Sequence, residues 1–383
     1  MSATDLTLSQ HQAGAAVVSE TIAQYDSNVV YRGDKEGMGR VNPGSKRMTL
    51  QQIAERAGVS TPTISKVLNG RPDVAPATRE RVLQVLHEQQ YLPRGASALP
   101  FAHRHIELVF DALRNPNGLE ILREIIKTAA EHGGHVAVST LPENMNARQW
   151  IHELERVGRA GVIMVTSRLT LEQQKRLQEA ALPVVLIDPI NSVDGAVASV
   201  GATNWRGGVT AVQHLLELGH RRIAMLRGYD CLVDDARYHG YVAALTEAGV
   251  ALDPGLIERA DFRFDPAVSA AESILRLPDR PTGVFASNDL EALGVIEAAR
   301  RLGLSVPGDL SVVGFDDSLG AATSSPQLTT VRQPFAQMGD VAYRLLTDQM
   351  EGRESDSLRV ELATTLIVRE STAAPPARVT QAA

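Results

Sequence analysis

Residues 49–70 read Thr-Leu-Gln-Gln-Ile-Ala-Glu-Arg-Ala-Gly-Val-Ser-Thr-Pro-Thr-Ile-Ser-Lys-Val-Leu-Asn-Gly. Leu50, Ile53, Ala54 and Ala57 fall at i, i+3, i+4 and i+7, which is one face of a helix, and Thr49 and Gln52 have the spacing of a capping box. Gly58 supplies a permissive turn residue, Val59 an apolar plug, and Ser60 the cap of a second helix with Ile64, Val67 and Leu68 on its inner face. Thr61, Pro62, Thr63, Ser65 and Lys66 are left pointing outward. A third helix over 76–89 offers Val82, Val85 and Leu86 to close a three-helix core. Two short helices joined by a tight glycine turn form a helix-turn-helix, whose second helix fits a DNA major groove. A helical bundle with no nucleic-acid role is the alternative, and the polar outward face and local charge argue against it.

That charge is unevenly spread. Over 46–94 the chain carries eight Lys and Arg against four Asp and Glu, so +4, while the whole chain of 383 residues stands at −7 and the remainder therefore at −11. A small basic unit is attached to an acidic body, which rules out a protein that coats nucleic acid over its whole surface. With 44% hydrophobic and 22% charged residues the composition is that of a globular protein. No apolar run reaches the length of a spanning helix and residues 1–40 show no secretory signal, so a cytoplasmic protein without membrane contact is expected. The single cysteine, Cys231, excludes an internal disulfide framework and a multi-cysteine zinc site.

From residue 105 onward, short β-rich runs alternate with helical patterns. Runs over 106–110, 136–139, 161–165, 184–187, 223–226, 283–286 and 311–315 read as buried parallel strands. Helices over 119–132, 205–218 and 290–302 are followed by Gly133, Gly219 and Gly303, as left-handed C-caps require. The expected fold is a small all-α helix-turn-helix head plus a two-lobed α/β core, with parallel sheets covered by helices on both faces. The division expected is a disordered extension over 1–45, the head over 46–92, a hinge over 93–104, the core over 105–372 and a disordered tail over 373–383. Lobe 1 is assigned about 105–218 and 333–352, and lobe 2 about 219–332 and 356–372. An alternative start of translation at Met38 or Met48 would remove most of the extension.

The quoted stretch, followed by Thr78-Arg79-Glu80-Arg81-Val82-Leu83-Gln84-Val85-Leu86 and Tyr91-Leu92-Pro93, resembles the DNA-binding head of the lactose and galactose repressor family. The similarity continues through Leu218-Gly219-His220-Arg221-Arg222-Ile223, Arg237-Tyr238-His239-Gly240-Tyr241, Phe285-Ala286-Ser287-Asn288-Asp289, Val306-Pro307-Gly308-Asp309, Val313-Gly314-Phe315-Asp316-Asp317 and Leu328-Thr329-Thr330-Val331-Arg332-Gln333, and covers roughly residues 48–372. The resemblance implies a core like the periplasmic sugar-binding proteins and a homodimer or tetramer that represses transcription from double-stranded operator DNA. It further implies control by a small-molecule effector, a sugar or sugar phosphate, with no metal or other cofactor. Thr61, Pro62 and Lys66 would read operator bases, with Thr49, Ser60, Thr63, Ser65 and Asn69 in supporting contacts.

Three departures matter. Lys66 stands where the family commonly has arginine, and lacks arginine's planar fork. Ala75 replaces the usual cap of the third helix, a loss of roughly 1 kcal/mol. In the hinge, Arg94-Gly95-Ala96-Ser97-Ala98-Leu99-Pro100 weakens the expected short helix, and Leu99 fits the minor-groove wedge only with a one-residue shift; a flexible linker is the alternative.

A sugar site needs carboxylates, amides, an arginine and an aromatic platform. Asp111, Asn115, Asp188, Asn204, Asn288, Asp289 and Asp316 sit at predicted strand or helix ends, where open parallel sheets bind ligands. By resemblance Asp188, Arg237, Asn288 and Asp316 would hold ligand polar groups and Phe262 would stack on its face, with Asp111, Asn115 and Asn204 as further members and Asp289 and Asp317 as supporting caps. Adjacent Asp316 and Asp317 diverge in direction, and no Ser-His-Asp order or phosphate loop is present, so catalysis is not expected. A solute-binding module, a purine-responsive regulator and a sugar-active enzyme are the competing readings.

Overall fold

A computed structural model describes residues 49–68, 74–88, 105–110, 117–140, 147–192, 197–353, 355 and 357–376. The expectations for 1–45, Asn69, the 93–104 hinge with Leu99, Asp111 and Asn115 lie outside the described residues. Three short helices, α1 (Leu50–Ala57), α2 (Thr61–Leu68) and α3 (Pro76–Glu88), form the head. Ile53, Ala54, Ala57, Ile64, Val67, Val74, Val82, Val85 and Leu86 are buried among its described residues. Gly58, at φ +63, ends α1, where Val59 N–H donates to Ala54 O at 3.0 Å. One contact the sequence did not announce fastens the third helix: Arg81 Nε donates to Ala57 O at 3.1 Å, serving the carbonyl end of α1. At α3 the missing side-chain cap is eased because Pro76 has no N–H to satisfy, and Thr78 and Arg79 N–H both donate to Ala75 O at 3.0 Å.

Among the described residues the core holds two six-stranded sheets. Its strands are β1 (His105–Phe110), β2 (His135–Thr140), β3 (Arg159–Val165), β4 (Val184–Ile187), β5 (Ala198–Ala202), β6 (Ile223–Arg227), β7 (Ile257–Arg259), β8 (Gly283–Ala286), β9 (Ser311–Asp316), β10 (Thr329–Arg332), β11 (Arg359–Leu362) and β12 (Thr365–Ile367). The first sheet runs β11-β5-β4-β3-β1-β2, all parallel; the second runs β12-β10-β9-β8-β6-β7, parallel except for antiparallel β12 at its edge. Alternation along the strands feeds opposite faces. Ile163 and Val165 pack beneath α4 (Gly118–Glu131) and α12 (Phe335–Met350), whereas Val162 and Met164 meet α5 (Ala147–Arg156) and α6 (Leu171–Glu179). In the second sheet Met225 and Phe285 face α7 (Asn204–Glu217) and α8 (Leu232–Glu247). Leu226 and Val284 face α9 (Phe264–Leu275) and α10 (Asp289–Arg301). Among the described residues the remaining α-helix is the short α11 (Leu319–Thr323).

The lobe boundaries differ from expectation. The chain leaves the first sheet after Ala202, not at 218, because α7 packs on α8 and the second sheet. β11 belongs to the first sheet although 356–372 was assigned to lobe 2, and only β12 returns to the second. The tail also begins later than 373: Ala373 N–H donates to Ser311 Oγ at 3.0 Å, and Ala373 O is 2.9 Å from His220 Nε2. Three segments therefore cross between lobes, after β5, β10 and β11. Two of them are tied together, with Thr364 N–H donating to Thr203 Oγ1 at 3.0 Å and Thr203 N–H to Leu362 O at 2.9 Å.

The α7–α8 contact depends on glycine. A Cβ on Gly240 would lie 2.3 Å from Trp205 O, and one on Gly208 would lie 2.4 Å from Arg237 O. Both obstacles are backbone, so no rotamer relieves them. Gly240→Ala is expected to force the helices apart and lower unfolding free energy by about 1–3 kcal/mol, measured by urea denaturation; an unchanged midpoint and slope would show that the crossing has slack.

Candidate functional site

Each lobe contributes one wall of a cavity of about 290 Å³. From the first lobe come Phe110, Asn117, Ile121, Val165, Thr166 and Asp188; from the second Tyr229, Val233, Arg237, Asp261, Phe262, Asn288, Leu290 and Asp316. Gly118, with Gln333 and Phe335 where the chain crosses back to the first lobe, completes the lining. Of seven described non-glycine residues with left-handed backbone, five line this space: Thr166, Asp188, Asp261, Phe262 and Asp316. Such strain gathers where surrounding structure holds side chains for a task other than stability.

Arg237 is the hub. Its Nε donates to Asn204 Oδ1 at 2.9 Å, its Nη1 to Ser287 O at 2.6 Å, and its Nη2 lies 3.7 Å from Asp316 Oδ1. The guanidinium carbon sits 3.8 Å from the centre of the Phe315 ring, so one of its faces is covered. Asp316 accepts from Asn117 Nδ2 at 2.7 Å and from Gln333 Nε2 at 2.6 Å, three parts of the chain meeting at one carboxylate. The oxygen of that amide, Gln333 Oε1, is buried with no hydrogen-bond partner. Asn288 caps α10, its Oδ1 accepting from Glu291 N–H at 2.8 Å, and turns its Nδ2 to Phe262 O at 3.3 Å.

Burial in this acidic recess shifts protons. Asp188 is pushed up to about 6, mainly by desolvation, with Arg237 pulling it down and Asp316 pushing it up. Asp316 is raised by burial, with Arg237, Gln333 and Asn117 opposing. Asp289 is raised by burial and by the Asp316 charge, and its carboxylate holds Thr330 Oγ1 and Ser318 N–H, each at 2.6 Å. Asp317 diverges from Asp316 and pairs instead with Arg332 at 2.6 Å and Arg369 at 2.5 Å.

Asp188, Arg237, Phe262, Asn288 and Asp316 are thus brought together around one space. Asn204 is not in that wall: it is buried behind Arg237, whose Nε it accepts, and lines an adjoining cavity of about 350 Å³ with Thr203, Arg206 and Glu361. Its place at the start of α7 was legible; the direction of its side chain was not. Sequence reading missed Asn117, Tyr229, Gln333 and Phe335. Tyr229 stands edge-on to Phe262, with ring centres 5.1 Å apart. Gln333 alone had a signal, as the end of the Leu328–Gln333 stretch where the chain changes lobe.

In the head, Thr61, Pro62, Ser65 and Lys66 are exposed on α2, opposite fully buried Ile64 and Val67. Thr63 departs from the outward group. It is half-buried, its hydroxyl lies 2.9 Å from Ser60 Oγ and its N–H donates there at 3.4 Å, so both residues serve the helix cap.

Residues 49–94 match the model of bacterial regulatory proteins of the lacI family, and residues 212–372 that of the periplasmic binding protein-like domain. Catabolite control protein A of Priestia megaterium is 32% identical over 85% of this chain and 99% of its own length. The repressor CytR of Escherichia coli K12 is 34% identical over 86% and 97%. A solved complex of the transcriptional regulator CelR with cellobiose matches with TM-score 0.65 at 33% identity, over 85% of this chain and all of that one. The lac repressor dimer bound to operator and an anti-inducer matches with TM-score 0.66 at 28% identity, over 86% and 100%. These relatives are regulators, not enzymes, and they align from the head through both lobes, so kinship extends to the whole architecture: the chain belongs to the LacI family of DNA-binding transcriptional regulators.

Proposed function

We propose that this regulator is a dimeric repressor whose operator affinity is set by an uncharged sugar held between the lobes. The observation that carries this reading is a wall that presents the carboxylates of Asp188 and Asp316 and the amides of Asn117 and Asn288 beside the Phe262 ring. Sugar hydroxyls donate to such acceptors while a sugar's apolar ring face rests on an aromatic. The sequence left sugar and sugar phosphate open; the lining favours the former. Asp188, Asp261 and Asp316 share the lining with a single guanidinium, and Arg237 has already committed donors to Asn204 and Ser287. A buried phosphate needs cationic donors that this wall does not offer. Ligand size is limited too, since the cavity stands at the small end of ligand sites, which span about 300–1,000 Å³.

Relatives solved as a cellobiose complex and as an operator-bound dimer support the same reading. A sugar that binds the closed lobes better than the open ones shifts their angle about the three crossing segments, and with it the spacing of two heads on a palindromic site. The test is fluorescence anisotropy on DNA from upstream of the protein's own gene, at fixed salt, with neutral sugars, their phosphorylated counterparts and purines as arms. A neutral sugar is expected to shift operator affinity at least tenfold. A shift by the phosphorylated form or a purine alone, or by nothing, overturns the effector assignment.

In the same assay Lys66→Ala is expected to weaken operator binding and relax preference at one base pair, a discrimination of about 1–3 kcal/mol. Uniform weakening across sequences would restrict Lys66 to a phosphate contact.

A further inference from the structure

Asp261 and Phe262 are consecutive non-glycine residues in the left-handed region, at φ +55 and +58. L residues adopt such backbone only where neighbours enforce it. Both backbone polar groups of Phe262 are held by the first turn of α10 and its cap residue. Its carbonyl accepts from Asn288 Nδ2, and its N–H donates to Glu291 Oε1 at 2.8 Å.

Glu291 does not line the cavity. The order Asn288-Asp289-Leu290-Glu291 is that of a capping box, in which a glutamate at the third helical position reaches back to its own cap residue. Here only half the box is made: Asn288 accepts from Glu291 N–H, while the carboxyl leaves the helix for Phe262. The residue is 0% exposed and its Oε2 has no hydrogen-bond partner. An ionised carboxylate in that position would be costly. Burial pushes Glu291 up to about 8, which favours the protonated acid at neutral pH, and its Oε1 still accepts in that form.

The Phe262 ring is fixed as tightly as its backbone. It lies so close over Gly228 that a Cβ there would be 2.2 Å from the ring, and Tyr229 stands against it edge-on. The backbone turn thus decides which way this wall of the cavity faces.

We propose that Glu291 is a positioning residue for the cavity's aromatic wall, holding through the Phe262 N–H the left-handed turn that aims the Phe262 ring at the effector. The effector half rests on the function proposed above; the turn itself is observable without any ligand.

The experiment uses full-length protein, Glu291→Gln and Glu291→Leu, with hydrogen exchange at the Phe262 amide read by mass spectrometry of peptides spanning 258–265. In the parent that amide is expected to be protected. The glutamine variant keeps an acceptor and should exchange within about twofold of the parent, whereas leucine should exchange at least tenfold faster. A parent amide with no protection overturns the proposal even if the leucine variant does not fold, and so does glutamine exchanging like leucine. In a second arm, D-glucose, D-galactose and cellobiose are titrated calorimetrically. Any that binds the parent should bind the leucine variant at least tenfold more weakly and the glutamine variant within twofold; equal binding by all three proteins overturns the positioning role. If no sugar binds the parent while the exchange pattern holds, the sugar assignment fails and the turn stands.

Discussion

Arg237→Met is expected to abolish the effector's control of operator binding and to lower unfolding free energy by about 3–5 kcal/mol, the cost of stripping a buried charge of its partner. Methionine keeps the length and the apolar contact with Phe315, so the loss isolates the guanidinium. Without it, Asn204 Oδ1 and Ser287 O lose their donors, and Asp188 and Asp316 lose the charge that pulls both toward ionisation. Asp316 then takes up a proton more readily, and its grip on Asn117 and Gln333, which ties three segments of the chain, weakens as charge-assisted bonds become neutral ones. Arg237→Lys restores charge without the fork that reaches Asn204 and Ser287 together, so it should recover stability more than response. The measurements are urea denaturation and operator anisotropy with and without effector. A methionine variant that is as stable as the parent and still responds would make Arg237 a bystander.

What the sequence made legible follows from how each residue signals. Asn288 and Asp316 stand at strand ends and Arg237 in the second turn of α8, within the motifs quoted from the sequence, and all three line one cavity. Asn204 stands in an equally good position, but whether a residue at a helix start faces the cavity or the arginine behind it depends on packing of α7 against α8, set by Gly208 and Gly240. The boundary error at 218 has the same root, because α7 has an apolar face that suits either sheet. β5 escaped notice because Ala198-Ser199-Val200-Gly201-Ala202 has small residues in place of a β-branched run, and β7 and β12 are three residues long. Glu291 was hidden differently: a glutamate in a first helical turn ordinarily signals an exposed capping charge, and only the fold shows it turned inward.

The pH dependence of stability gives that inward glutamate a thermodynamic signature. A carboxyl whose folded value is raised favours the neutral form in the folded state, so the stability it confers is full below its unfolded value and is lost as pH rises toward the folded one. For Glu291 that window runs from about 4.5 to about 8. Asp188, raised to about 6, and Asp289 act with the same sign at lower pH. Two histidines act oppositely. His214 and His220 are held below the usual histidine value by burial, so they penalise folding as pH falls below about 6.5 and leave the range above it to the acids. Between pH 6.5 and 8 Glu291 should therefore cost the parent about 1.4 kcal/mol per pH unit, or about 2 kcal/mol in all. Glu291→Gln removes this slope while keeping the acceptor for Phe262. The two proteins should diverge in urea denaturation from pH 6.5 to 8, glutamine being the more stable, and become parallel about one unit above pH 8. Parallel curves throughout would mean that Glu291 is ionised in the folded protein and finds a counter-charge; a divergence that grows on going below pH 6.5 would reverse the sign of the argument.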